Sequence, residues 1–344
     1  MNVNNDHVNY LSLDQVDDVR DVSQRSPNYR LLSQQSRRKV NPDRIYQDMV
    51  AHTLDNGFPV EDDRTGEATV RVTGMNYSVS AEASYFPLLT TKKVNFDSIV
   101  AELLWFISGQ SHIQDLQKHT KIWDAWAEDG RLDTAYGYFW RHFPVNTTFK
   151  KMAMPGIMDI TGSEHYHHNG ETILLDQLHY MRDSIVEKPF SRRHVMTAWY
   201  PPNAVMSKLP PCHMTWTVNL RRDRPGVLLL DLHLMQRSGD LGLGIPFNMA
   251  SYSLLCNLLA SDLNGRMVGA VLPGQFHHSI SNAHIYRNHI DGLVEQLKRM
   301  PERVPTIKTA NVHDITNLSL DDVDDIVELS DYQYHEAISL PVAV

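Results

Sequence analysis

QRSGDLGLGIPFNMASY, residues 236–252, is the stretch on which the fold turns. The strand-like VLLLDLHLMQ leads into it, with apolar residues that suit a buried strand. It runs on into PFNMASYSLLCNLLASDL, whose apolar spacing predicts a long helix entered at Asn248. Phe247, Met249, Leu254, Leu255, Leu258 and Leu259 are expected to face the core, with Cys256 as packing. Strand, glycine-rich loop and helix in succession predict an α/β domain. Within the loop, Arg237, Ser238 and Gly239 join a guanidinium, a hydroxyl and a permissive backbone, a candidate oxyanion cradle. The glycines do not follow the GxGxxG order of a dinucleotide fold.

Working outward, HVMTAWY and MTWTVNL read as further strands, and RRDRPG as the turn before VLLLDLHLMQ. PDRIYQDMVAHTLDNG predicts a helix from Pro42, stopped by Gly57. ATVRVTGMNYSV predicts a strand with a turn or bulge at Gly74. DSIVAELLWFISG predicts a buried helix ending at Gly109, with Glu102 as either a surface acid or a pocket carboxylate. ILLDQLHYMRDSIVE and IYRNHIDGLVEQLKRM read as two more helices. Residues 142–171 read as an irregular excursion. His165, His167 and His168 within it lie among Gly, Asn and Ser, as in an exposed polar loop, and no metal is expected. Residues 1–41 read as a polar extension, and residues 42–344 as a single α/β domain.

The chain has 344 residues, 42% of them hydrophobic and 21% charged, an ordinary globular balance. Its net charge of -9 opposes a general nucleic-acid binder but permits an anionic small substrate held by clustered arginines. Two cysteines cannot frame a small domain and suggest a reducing, cytoplasmic setting. No apolar run has transmembrane length, and no membrane partner is expected.

Cys212 stands in LPPCHMTW, followed at once by His213. Alone, it is either inert packing or a nucleophile. Arg64, Arg192, Arg193 and Arg237 recur in tight polar settings. A thiol near several arginines has its pKa lowered, and the thiolate is a nucleophile that needs no triad. His213 is read either as orienting water or the thiol, or as a neighbour on the other face of a strand. These residues predict a cysteine nucleophile acting on a phosphorylated small molecule.

LPPCHMTW, QRSGDLGLGIPFNMASY, FPLLTTKK, ELLWF, KIWDAWAEDG, NAHIYRNHI and the terminal LPVAV, in that family's own order along the chain, resemble the folate-dependent thymidylate synthase family. The resemblance implies a mixed twisted β-sheet packed with helices, pairing sheet-to-sheet as a homodimer. It implies reductive methylation of dUMP to dTMP, with 5,10-methylenetetrahydrofolate as cosubstrate. Cys212 would then add to C6 of uracil. Arg64, Arg237 and Ser238 would hold the phosphate, with Arg192 and Arg193 reaching across from the partner. Asn248 would pair with the base, where Asp in a related dCMP hydroxymethylase group reads cytosine. His284 and Tyr286 would hold the ribose, and Glu102 would order water and move protons near O4. Tyr136 would assist proton removal from C5, and His213 would support the water network. Lys92, Trp123, Asp240, Gly244 and Val344 would meet the folate, the last as part of a tail that closes over the ligands.

Phe139, Thr217, Ile280-Ser281 and Glu336 depart from the commonest family pattern. DTAYGYFWR and the 142–171 insertion resemble a branch of the family from halophilic archaea. Two other outcomes follow from the same residues. If water instead of hydride trapped the exocyclic methylene, the product would be 5-hydroxymethyl-dUMP. An RNA-binding paralogue without turnover is the other.

Overall fold

Helix α1 (Pro42–Asn56) starts where Asn41 Oδ1 accepts from Asp43 N at 2.8 Å and Pro42 occupies the first turn. The computed structural model describes residues 39–61, 65–132, 136–145, 164–170, 172–207 and 209–343. Asn41–Val344 form one compact unit. The polar extension before it lies outside the described residues, apart from its last few. Gly57 ends α1, where its sequence predicts, in an extended conformation with φ -74°. Glycine is needed for space: a Cβ there would come within 2.4 Å of Thr53 O and 2.5 Å of Val70 Cγ1.

The sheet runs in the order β1 (Phe58–Val60), β2 (Thr69–Ser80), β10 (Ala270–Tyr286), β8 (Val227–Gln236), β7 (His213–Arg224), β6 (Val195–Thr197). A short β9 (Gly239–Asp240) also pairs with β10. β10 runs parallel to β8 and β9 and antiparallel to β2, so the sheet is mixed. The pairing of β2 with β10 carries no register shift, so Gly74 is neither turn nor bulge; it takes φ 77° inside a continuous strand.

Helix α2 (Phe96–Ser108) is buried along almost its whole length and closes at Gly109 with φ 71°, as its sequence predicts. Beside it lies α6 (Gly244–Asn264), which packs on β10 and β8. α6 begins one turn earlier than the sequence pattern indicates, so Asn248 sits inside it, and Phe247 is only partly buried. The sheet's other face carries polar contacts between strands. Ser78 bonds His277 at 2.7 Å, and His233 bonds Ser279 at 2.9 Å.

Three expectations need correcting. The described flanks of the 142–171 excursion form an antiparallel sheet of β3 (Phe143–Pro144), β4 (Tyr166–Asn169) and β5 (Thr172–Leu175). The helix expected across ILLDQLHYMRDSIVE is therefore split. ILL belongs to β5, and Asp176 then caps α4 (Gln177–Glu187) by accepting from His179 N at 3.0 Å. IYRNHIDGLVEQLKRM likewise divides: Ile285 and Tyr286 end β10, a 3-10 turn covers Arg287–His289, and α7 is Ile290–Leu297. No helix among the described residues is long and apolar enough to cross a membrane.

Candidate active site

The LPPC segment is clamped at its backbone. Cys212 N donates to Tyr136 Oη at 3.0 Å, and Arg237 N donates to Cys212 O at 2.9 Å. The Arg237 guanidinium donates to Pro211 O at 3.0 Å and Pro210 O at 2.6 Å, and lies 5.8 Å from the Trp199 ring centroid. Prolines suit this role, since they give up the N–H and keep the carbonyl. Arg237 thus braces the cysteine loop, a role its sequence context did not reveal. Cys212 is half-buried and precedes β7, while Cys256 is fully buried and its thiol is pushed up to about 12 by burial.

Behind Cys212 stands a dense aromatic and polar cluster. His213, the first residue of β7, has its ring 4.6 Å from Tyr136, 5.3 Å from Tyr252 and 6.4 Å from Phe106. Burial lowers its pKa to about 4, against the neighbouring Asn248 carboxamide, which raises it. The imidazole is therefore neutral, with Nδ1 3.2 Å from Tyr252 Oη. Tyr136 comes from the short α3 (Tyr136–Arg141), and its pKa is raised well above the ordinary range by burial first. Glu102 projects from α2 into the same region and accepts from Trp123 Nε1 at 2.9 Å. Burial raises its pKa to about 7, partly offset by that bond. It is a buried carboxylate, not a surface acid.

Asn248 belongs to the same group and is 6% exposed. Its Oδ1 is buried and has no partner among the described residues. A buried carboxamide oxygen left without a donor costs about 1–3 kcal/mol unless something supplies one.

The loop into α6 is fixed from several sides. Asp240 accepts from Gly242 N at 2.8 Å and Leu243 N at 3.1 Å. Tyr46 Oη donates to Leu241 O at 2.6 Å, and Lys92 Nζ donates to Gly242 O at 2.5 Å. Burial lowers the Lys92 pKa to about 8, against the pull of Asp240. His284 lies beside Asp240 across the β10–β9 pairing, and its ring meets Tyr286 edge-on at 5.2 Å. Ser238 offers its carbonyl to Gln236 Nε2 at 2.7 Å.

Sequence reasoning missed His289. It is fully buried, with Nδ1 3.6 Å from Asp240 Oδ1 and Nε2 2.7 Å from Pro341 O. Nε2 must therefore carry a proton, since a carbonyl only accepts. His289 joins the loop to the C-terminal tail. The tail is also held where His335 N donates to Thr90 O at 2.8 Å and Arg299 to Glu336 O at 2.7 Å. Glu336 contributes its backbone carbonyl there, so this contact does not depend on the side chain that departs from the family pattern.

Not every expected residue joins the cluster. Arg192 and Arg193 are exposed beside Phe190 and Ser191, and no described contact links them to Cys212. Arg64 and Val344 lie outside the described residues. The departures sit elsewhere: Phe139 packs on Phe143 and Tyr200, Thr217 pairs with Val195 and His233, and Ser281 is exposed.

A family model described as thymidylate synthase matches residues 44–344. The chain is 41% identical over 227 residues to a thymidylate synthase of Haloferax volcanii, covering 65% of this chain and 61% of that protein. It is 36% identical over 315 residues to a bifunctional dihydrofolate reductase-thymidylate synthase 2 of Arabidopsis thaliana, covering 87% of this chain and 50% of that one. The chain thus spans less than two thirds of the length of these curated relatives. With the matched region running through the mixed sheet, the Cys212 loop and the tail, the chain belongs to the thymidylate synthase family.

Proposed function

We propose that this chain methylates dUMP to dTMP, with 5,10-methylenetetrahydrofolate supplying both carbon and hydride. The observation that carries the reading is Asn248. Its buried Oδ1 without a described donor suits the N3–H of uracil, while the amide nitrogen suits O4. Cytosine offers the opposite pattern.

The chemistry follows from the groups around it. The Cys212 sulfur bonds to C6, and the C5–C6 π pair moves toward C5 and O4. Glu102, with a pKa near 7, holds or gives a proton at O4 through water. C5 then takes up the donated carbon, and its proton leaves through water near Tyr136. Folate departs, and hydride adds to the exocyclic methylene as the Cys212–C6 bond breaks, releasing dTMP and dihydrofolate. A covalent intermediate divides one hard substitution into easier steps. Neutral His213 keeps a second positive charge away from the thiol and lends polarity to the water network.

Phosphate binding falls to Arg237 and Ser238, with Arg64. Arg237 must trade its carbonyl contacts for phosphate, so binding would rearrange the LPPC loop. Arg192 and Arg193, exposed in one protomer, suit the role of reaching a partner's site in a sheet-to-sheet homodimer. Lys92, Asp240, Gly244 and Trp123 would border the folate, and the tail held by His289 would exclude water. Retention of Trp123 and of a docked tail favours hydride over water as the final reagent.

The test is steady-state turnover with dUMP and methylenetetrahydrofolate, following dihydrofolate. Cys212→Ser is expected to keep its circular dichroism spectrum and lose about 10³-fold or more in turnover. Full activity in that variant would remove the covalent mechanism.

A further inference from the structure

The end of the 142–171 excursion meets α4 in a group of side chains that the reaction does not use. Glu164, His165, His179 and Asp183 each offer a donor atom, and these atoms all lie within 4.8 Å of one another. We propose that they form a site for a tetrahedral transition-metal ion of the Zn²⁺ type, with His165, His179 and Asp183 as the main ligands and Glu164 as the fourth.

The geometry carries the proposal. His165 Nε2 stands 2.9 Å and His179 Nε2 3.3 Å from the same Asp183 Oδ2. Ligands about 2.0–2.1 Å from a tetrahedral zinc lie roughly 3.3–3.4 Å from each other, so small adjustments complete the set. His179 and Asp183 are four apart on α4 and share a face. His165 is set against them by its backbone: Asp176 N donates to His165 O at 2.8 Å, and Tyr166 pairs with Leu175. Arg182 takes the other oxygen, Asp183 Oδ1, at 2.8 Å, which turns Oδ2 toward both imidazoles. Its charge is shared with Asp314, 2.6 Å away. Two imidazoles with carboxylates favour zinc, cobalt or nickel over magnesium or calcium, which require oxygen donors. The side chains are 18%, 22% and 30% exposed for His165, His179 and Asp183, shielded yet open to an entering ion.

A bound ion would pin β4 and the close of the excursion to α4. Gln177, at the start of α4, donates to Phe139 O at 2.6 Å and Thr197 O at 2.8 Å, so the pin reaches the packing behind Tyr136. The site is a staple, not a reagent.

The full chain without an affinity tag, stripped with chelator, is titrated with Co²⁺ and then Zn²⁺. The proposal expects one Co²⁺ per chain with the intense visible bands of a tetrahedral site, displaced by Zn²⁺. It expects a Tm rise of roughly 5 °C at a hundredfold excess over Kd. His165→Ala and His179→Ala should each weaken Co²⁺ binding at least about tenfold. His168→Ala, exposed on β4 three residues beyond His165, should bind as the wild type does. Circular dichroism in the absence of metal checks that each variant is folded. Wild-type protein that binds no stoichiometric Co²⁺, or binding unchanged by both ligand variants, overturns the proposal.

Discussion

Replacing Glu102 by Gln should stabilise the protein while damaging its chemistry, and the gain should depend on pH in a defined direction. Glu102 is 7% exposed, and burial lifts its pKa from 4.5 to about 7. The folded protein therefore holds this proton more tightly than the unfolded chain does. Between pH 4.5 and about 7 the unfolded state loses the proton first, so stability falls as pH rises. At about 1.4 kcal/mol per pH unit, the cost reaches roughly 3 kcal/mol above pH 7. Glutamine matches the shape and keeps an acceptor for Trp123 Nε1 but cannot ionise. Urea unfolding of both proteins from pH 4.5 to 8 isolates this residue, because every other titration cancels in the difference. The stability of Glu102→Gln relative to wild type should climb by roughly 3 kcal/mol across that range and level off above pH 7. Turnover should fall by about 10²–10⁴-fold. A difference independent of pH, or one of opposite slope, would refute the idea that burial sets the charge of this group.

Other perturbations test separate parts of the site. Asn248→Asp should shift the dUMP over dCMP ratio of kcat/KM toward dCMP by at least about 100-fold, because the buried acceptor pattern is reversed; an unchanged ratio would contradict the base contact. Gly242→Ala should displace His289, since a Cβ would stand 2.3 Å from its Nδ1. Once His289 no longer donates to Pro341 O, KM for the reduced folate should rise about 10-fold or more. Unaltered kinetics would show that the His289 link does not hold the tail.

The parts of the fold legible in the sequence were those with one strong period. The buried α2, closed by Gly109, and the β7–β8 pair with its polar turn are examples. The central strand β10 was not recognised, because its outer positions are Gln275, His277, Ser279 and Ser281, and Pro273 and Gly274 interrupt it at a register shift. A strand with a small, polar outer face lacks the apolar enrichment by which strands are found. The excursion misled for a similar reason: β4 and β5 are only four residues each. In the site, residue types pointed to Cys212 and Arg237, but not to what Arg237 does without ligand, because Pro210 and Pro211 engage it through carbonyls common to all residues. His289 was hidden for the opposite reason. Its partners, Asp240 and Pro341, are remote in sequence, and only the fold brings them together.

The central claim is that hydride, not water, completes the reaction at a Cys212-bound uracil. Mass spectrometry of the nucleotide formed from dUMP and methylenetetrahydrofolate measures this directly. The predicted product is dUMP plus one methyl group, with dihydrofolate formed in equal amount. Hydroxymethyl-dUMP with tetrahydrofolate, or a nucleotide left unchanged by folded protein, would contradict it.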